Sequence, residues 1–537
     1  MRKQTKIAAA VSAAALLALG ASITSFAASR GTWMLVDGEW YCYDSSGDPY
    51  ENTFCLSNGK EYYVGDDGML VRSQWVEDDG DYYFVNSAGQ KITNDWRLTT
   101  PYDDEDAEEQ WFYFQSTGKR AEDKKLTIKG KTYFFNTDGE MLIGWVQENG
   151  DSWDEASSDD IKANSNTYYC GEDGARLESA WVYDYAPSVD PDDVGSEDEQ
   201  HWYWLKSSGK VATGKQSSVN GQTYFFDNEG KMLSGWVAQT DSDSGYAQIW
   251  EDDEDTDGIF STALSAYKDI DVYFCGDEDD GHMKKDKWIK LWSNVDYGAE
   301  DEDNDEYWYY INSSGKVYIP DDNDLASASD AVRYSFDDGE GESFSSRFSD
   351  DNYDSVDSFL AVEKKINSKT YYFDENGRML SSFVMMWDQD EASQDETTGK
   401  MYYFGGSDDG QRKDGSISLT DDNGESYRFY FATDDDRLEN YYNAAGVSGA
   451  RNGKLYDHGL IITATDDKYE LKTVYIQCSD GTHESGDYSF IVNKSGSIQS
   501  SAKEYEEDDD VLIDATNATF CDDRGALRNS VTGAVVH

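Results

Sequence analysis

Basic residues are scarce in this chain: 45 of 537 residues are Lys or Arg against 109 Asp or Glu, a formal net charge of −64. Such an excess repels nucleic acid and anionic lipid and draws in cations, so nucleic acid is excluded as a partner. Histidine is scarcer still, with five scattered residues and no pair at metal-ligand spacing. Neither a metal centre nor a cofactor is expected. The segment Asp253-x-Asp255-x-Asp257-Gly258 opens like a calcium loop, but Leu264 stands where the loop's twelfth position needs an acid. Six cysteines over this length do not make a disulfide framework. Cys42 and Cys55 flank what reads as one hairpin, and whether they pair is left open. Cys170 and Cys275 stand at the repeat position that holds Phe84 and Phe404 in sister repeats, and read as small buried apolar residues. There is no Gly-x-Ser-x-Gly, no His-Glu-x-x-His and no Cys with a positioned His, so the chain reads as no enzyme. Two carboxylates could suffice for a glycosidase, yet nothing singles out a pair, and residues 416–537 are a small region for a hydrolase.

Long apolar runs are also missing, apart from the first. Arg2, Lys3 and Lys6 precede an apolar stretch from Ile7 to Leu19, which closes on Ser25-Phe26-Ala27-Ala28. That is the three-part pattern of a secretory signal peptide, residues 1–28, cleaved near Ala27 or Ala28. The run is short for a bilayer core of roughly 30 Å. Residues Thr532 to His537 carry neither a hydrophobic tail nor a basic stop. The expectation is a secreted protein on a bacterial cell surface, with no membrane insertion after cleavage.

What is abundant is aromatic: 39 Tyr, 16 Trp and 22 Phe, beside 46 Gly and only 5 Pro. A disordered acidic chain holds few aromatics; many short strands broken by turns fit better. A unit recurs, plainest at 132–146 (TYFFNTDGEMLIGWV), 223–237 (TYFFDNEGKMLSGWV) and 370–384 (TYYFDENGRMLSSFV). Each reads as an aromatic strand, a polar turn closed by Gly139, Gly230 or Gly377, and a returning strand. A lone hairpin is marginal in water, so its aromatic face must be covered by the next, giving an elongated solenoid stabilised by neighbours. Three types alternate. Type A begins at Tyr62, Tyr133, Tyr224 and Tyr371, with Met69, Met141, Met232 and Met379 after the turn. Type B is at Tyr82, Tyr168, Tyr273 and Tyr402, and type C is headed by Trp111, Trp202 and Trp308. Trp111 to Tyr133 and Trp202 to Tyr224 are both 22 residues. Acidic insertions at 151–160, 183–200, 239–258, 293–306 and 320–358 lack apolar periodicity and read as solvated loops. The expected organisation is a degenerate capping repeat at 29–60, the hairpin solenoid at 61–415, and a diverged β-rich region at 416–537.

These units resemble the cell-wall-binding repeats of Gram-positive surface proteins, also called choline-binding or glucan-binding repeats, with similarity to the carbohydrate-binding repeats of clostridial toxins. The family pattern is Gly-Trp, a spacer, Trp-Tyr-Tyr-Phe, Asn or Asp, two residues, Gly, one residue, Met, and it covers about residues 33–415. The resemblance implies an all-β fold, a β-hairpin solenoid of the choline-binding-repeat type with about three hairpins per superhelical turn. It also implies aromatic cages between successive hairpins that hold a quaternary ammonium by cation–π attraction. Type A units carry Thr132, Thr223 and Thr370 at the leading Trp position, and Lys215 replaces a closing Trp, so those junctions read as dead. Both Trp residues survive only from B to C: Trp96 with Trp111, Trp181 with Trp202, and Trp288 with Trp308. Met232 is a third wall for the middle pair. Trp75, Trp145 and Trp236 are assigned to core packing. The implied function is that of a non-catalytic binding protein held to the envelope through choline-bearing or glycan polymers. The alternatives are a carbohydrate-binding adhesin, or a surface spacer without a small ligand.

Overall fold

A computed structural model describes residues 31–156, 166–187, 189, 195, 199–240, 245–250, 263–292, 306–334, 358–389, 394, 397–420, 424, 426–439, 442–477, 484–521 and 525–528. The signal peptide and the Asp253–Gly258 loop lie outside them. Among the described residues nearly all regular structure is β; the helical pieces are Leu264–Tyr267, Asp322–Leu325 and Asp434–Glu439. No described helix is long and apolar enough to cross a membrane.

The hairpins are set one strand earlier than the repeat pattern suggests. The aromatic strands pair with an earlier strand, not with the chain that follows them: Tyr133 lies opposite Leu126, Tyr83 opposite Val76, and Tyr203 opposite Val182. Many of these hairpins are closed by two residues of positive φ, such as Asp37-Gly38, Asn58-Gly59, Asp79-Gly80 and Lys129-Gly130. Tight turns of this handedness match the twist of the strands they join, and they select Gly with Asn or Asp. The polar turn after the aromatic strand closes no ladder. It returns the chain through one bridge, Phe135 to Met141 or Phe226 to Met232.

Two compact units divide the chain: residues 1–216 with 226–232, and residues 217–225 with 233–537. In the first, hairpins Thr32–Val36/Glu39–Tyr43, Thr53–Ser57/Lys60–Val64, Gln74–Asp78/Asp81–Val85, Asp95–Thr99/Gln110–Phe114 and Lys124–Ile128/Lys131–Phe135 follow one another. A three-stranded sheet around Gly144–Asn149 and the hairpin Ala180–Tyr185/Gln200–Leu205 continue the series. Successive hairpins are joined by one recurring bond. The second residue after a turn glycine donates its N–H to the head of the preceding hairpin's aromatic strand: Lys91 to Glu61, Arg120 to Tyr82, Met141 to Trp111 and Arg176 to Thr132, each 2.8 Å. The rings repeat as regularly. Phe54 to Tyr83, Trp75 to Phe112, Trp96 to Tyr133 and Trp145 to Tyr203 meet at centroid distances of 5.0, 4.9, 4.9 and 4.7 Å. Cys42 and Cys55 lie on two successive hairpins, not on one. Both are buried, and Cys55's hydrogen bond is the chief reason the Cys42 thiol is pushed up, with burial second.

The second unit keeps this contact, with Trp236 4.9 Å from Tyr309 and Phe383 5.0 Å from Phe429. The hairpin Gly415–Thr420/Ser426–Phe431 therefore still packs as a repeat. Beyond it the strands gather into a five-stranded sheet with Gly449–Arg451, Lys454–Asp457 and Leu460–Ile461. A three-stranded sheet around Gly486–Asn493 and the hairpin Glu504–Glu507/Asp510–Asp514 follow.

Three of the acidic insertions carry a strand of their own. Ser152–Glu155 adds a strand beside Gly144–Asn149, Tyr246–Trp250 adds one beside Trp236–Gln239, and Ser329–Tyr334 enters a five-stranded sheet between Ser358–Ile366 and Phe383–Asp388. A ring ties each of the first two to the core. Trp153 lies 4.4 Å from Phe134, and Tyr246 lies 4.6 Å from Phe225. An aromatic or two among acids leaves no periodicity to read, yet it helps to hold a short strand to an existing edge.

Candidate functional site

The candidate site is a junction between two hairpins, built from four positions. Trp96, second in its strand, lies opposite Tyr113, and Trp111 lies opposite Leu98. The two indoles thus share one face of one hairpin as diagonal neighbours. Their centroids are 6.4 Å apart and their planes near perpendicular at 88°. The following hairpin supplies Tyr133, 4.9 Å from Trp96, and Met141, tied by its N–H to the Trp111 carbonyl. Trp111 remains 43% exposed, so one wall faces solvent.

Trp181 and Trp202 repeat the arrangement at 6.2 Å and 87°, again as diagonal neighbours on one hairpin. Tyr183, half exposed, lies 5.0 Å from Trp202 as an added wall. Met232 donates its N–H to the Trp202 carbonyl at 2.8 Å. In the third set Trp288 lies 4.8 Å from Tyr371, and Met379 donates to the Trp308 carbonyl at 2.9 Å. This set is more closed. Tyr371 and Met379 are buried, and Trp288 stacks on Phe373 with planes 3° apart. Lys290, opposite Trp308, sits at its rim 3.6 Å from Asp408, which also accepts the Trp308 indole N–H at 3.0 Å. Burial, with Asp409 adding to it, pushes the Tyr371 phenol above its ordinary value, so this ring is neutral.

All seven sequence-designated residues thus fall into three like sets. The long spacers of 15, 21 and 20 residues inside the Trp pairs do not separate them, because the two strands that carry each pair are hydrogen-bonded to one another. A fourth set was missed. Trp33 and Trp40 stand as diagonal neighbours on the first hairpin, with Tyr62 5.8 Å from Trp33, and Leu70 donates to the Trp40 carbonyl at 2.8 Å. The signal was the Asp37-Gly38 turn between the two tryptophans, hidden by treating 29–60 as a degenerate cap. Trp236, assigned to packing, is fully buried against Phe274 and Tyr309. Trp75 and Trp145 do more than pack: their indole N–H groups donate to the Thr100 and Tyr185 carbonyls at 2.8 and 3.0 Å and so tie down the following hairpin's first strand or its end. Among the described residues no group of three or more His, Cys, Asp or Glu could hold a metal ion.

Three segments, residues 126–141, 218–232 and 364–379, match the family described as "Putative cell wall binding repeat", and are repeats of that family. Each match ends on the methionine of one of the three sets. Glucosyltransferase-S of Streptococcus mutans is 29% identical over 202 residues, covering 38% of this chain and 11% of that protein. A "Putative endo-beta-N-acetylglucosaminidase" of Streptococcus pneumoniae is 26% identical over 135 residues, covering 25% of this chain and 15% of that protein. The chain thus matches only a small part of the length of these relatives. Among solved structures, choline binding protein F from Streptococcus pneumoniae is similar at 18% identity and a TM-score of 0.28, covering 76% of this chain and 98% of that one.

Proposed function

We propose that this is an exported, non-catalytic binding protein, attached non-covalently to the cell envelope through choline-bearing polymers that it holds in its Trp–Trp–Met junctions. One observation carries the reading: the pairs Trp96/Trp111, Trp181/Trp202 and Trp288/Trp308 each stand on one hairpin face with the methionine of the next hairpin bonded to the second indole's backbone. In the first two pairs the indoles are near perpendicular, at 88° and 87°, and two walls meeting at a corner suit a cation that needs several rings within about 6 Å. A polarizable thioether completes the wall without competing charge. The surrounding acids, including Asp103, Asp104, Glu105 and Asp106 on the tip of the Trp96/Trp111 hairpin, raise the local concentration of cations.

A second reading, a carbohydrate-binding adhesin, is favoured by the exposed rings of Trp111 and Tyr183, flat faces on which sugar rings stack. Titrating choline against intrinsic tryptophan fluorescence separates the two. Trp202→Ala should lose one wall and weaken binding at that site by about 1–2 kcal/mol. Trp236→Ala should lower stability and leave the titration unchanged. Identical choline binding in Trp202→Ala and the parent protein would return these tryptophans to packing and favour the glycan reading.

A further inference from the structure

The fourth position of a junction is not always methionine. Lys91, Arg120 and Met141 are equivalent: each is the second residue after a turn glycine, donates its N–H to the head of the preceding aromatic strand, and lies directly under the next turn glycine. A Cβ on Gly118, Gly139 or Gly174 would come within 2.8 Å of Lys91, 2.4 Å of Arg120 or 2.2 Å of Met141, respectively. Around Met141 the other positions are Trp96, Trp111 and Tyr133. Around Arg120 they are Trp75, Tyr82 and Phe112, and around Lys91 they are Phe54, Glu61 and Tyr83.

At these two junctions a cation is already present. The Arg120 guanidinium lies 4.3 Å from the Tyr82 centroid and 5.8 Å from that of Trp75, and bonds to Glu122 at 2.9 and 3.2 Å. Tyr102 folds back from the next hairpin's tip to close this box, 4.8 Å from Tyr82 and 6.4 Å from Trp75. The Lys91 ammonium lies 4.6 Å from the Phe54 centroid and 5.2 Å from that of Tyr83, paired with Glu61. Both side chains are only 9% exposed. A buried cation over aromatic rings with one carboxylate partner is the arrangement a quaternary ammonium guest would adopt in the same space.

We propose that the fourth position decides what occupies a junction. Lys91 and Arg120 are resident ligands that fill two aromatic boxes from within, whereas methionine leaves the box at Trp96 and Trp111 open to a free quaternary ammonium. The inference rests on the cage reading above. Its consequence is a latent site at Trp75, Tyr82 and Tyr102, which a neutral side chain at 120 would unmask. Glu122, half exposed, would then be left as the guest's counter-charge.

Isothermal titration of the full chain with choline chloride tests this with Arg120→Met and Met141→Arg. Arg120→Met should raise the number of sites by one over the parent protein, and Met141→Arg should lower it by one. Unaltered near-ultraviolet circular dichroism in each variant certifies the fold; should Arg120→Met fail to fold, Met141→Arg carries the test alone. A parent protein that binds choline with both variants unchanged in stoichiometry overturns the selector role and leaves the cage reading standing. A parent protein that binds none while Arg120→Met binds one overturns the cage reading at the methionine junctions, and with it the rule that methionine opens a junction. Absence of binding in all three overturns both.

Discussion

Among single residues, Asp436 shows how an acid survives burial in so acidic a chain. Its side chain is fully buried and accepts hydrogen bonds from the Tyr430 hydroxyl at 2.9 Å and from the Thr433 N–H and hydroxyl at 2.7 Å each, with Arg451 as ion partner. Burial alone would push the carboxyl up, but these donors and the cation outweigh it and hold the group below its ordinary range. A depressed folded value means that its stabilisation is fully present above the unfolded value of about 3.9 and is lost as pH falls through the folded one. Asp436→Asn should therefore cost on the order of 1–3 kcal/mol at pH 7, and the gap between variant and parent should narrow below about pH 4. Urea unfolding at pH 7 and pH 3 measures both; an equal gap at the two values would assign the cost to lost packing. No sequence pattern marks this residue among 109 acids, because its donors come from separate turns and strands.

At the scale of the hairpin, one turn glycine does two jobs. Gly174 has φ of +74°, which an L side chain adopts only at a cost, and its bare Cα faces the Met141 thioether. Gly174→Ala would add both backbone strain and a clash with a side chain that can swing aside. Stability should fall by about 1–2 kcal/mol, and choline binding at the Trp96/Trp111 junction should weaken because the displaced methionine is one of its walls. Thermal melts and the fluorescence titration read the two effects separately; a loss of stability with unaltered binding would show that Met141 contributes no wall. The aromatic strand and its Gly-closed turn were legible in the sequence, and so were the three Trp pairs. The pairing partner was not, since the Asp-Gly and Asn-Gly dipeptides that close many of the hairpins precede the aromatic run, whereas the conspicuous polar turn follows it.

Over the whole molecule, a net charge of −64 makes self-repulsion a term of its own. Salt shortens the screening length from about 30 Å at 0.01 M to about 8 Å at 0.15 M. Melting temperature should consequently rise over this range, by about 2 °C or more; a fall would mean that ion pairs such as Arg120–Glu122 outweigh the repulsion. Scanning calorimetry at the two ionic strengths, with a neutral osmolyte as control, decides between them. The contacts that resist this repulsion are largely local, each hairpin bonded to the next, so their strength accrues along the chain in the manner of repeat proteins.

Composition and period determined the all-β class by themselves, because alternating aromatics and regularly spaced turn glycines admit little else. They also picked out three of the junctions that keep two tryptophans, since that is a property of residue identity at a recurring position. Only the tertiary structure decided that each Trp pair sits on a single hairpin, that Trp33 and Trp40 form a fourth such pair, and that Trp153 and Tyr246 recruit acidic insertions as extra strands. It alone placed Lys91 and Arg120 inside aromatic boxes. A charged side chain in an acidic chain reads as solvated until the fold brings rings to it, and the rings nearest Arg120, Tyr82 and Trp75, stand 38 and 45 residues before it in the sequence.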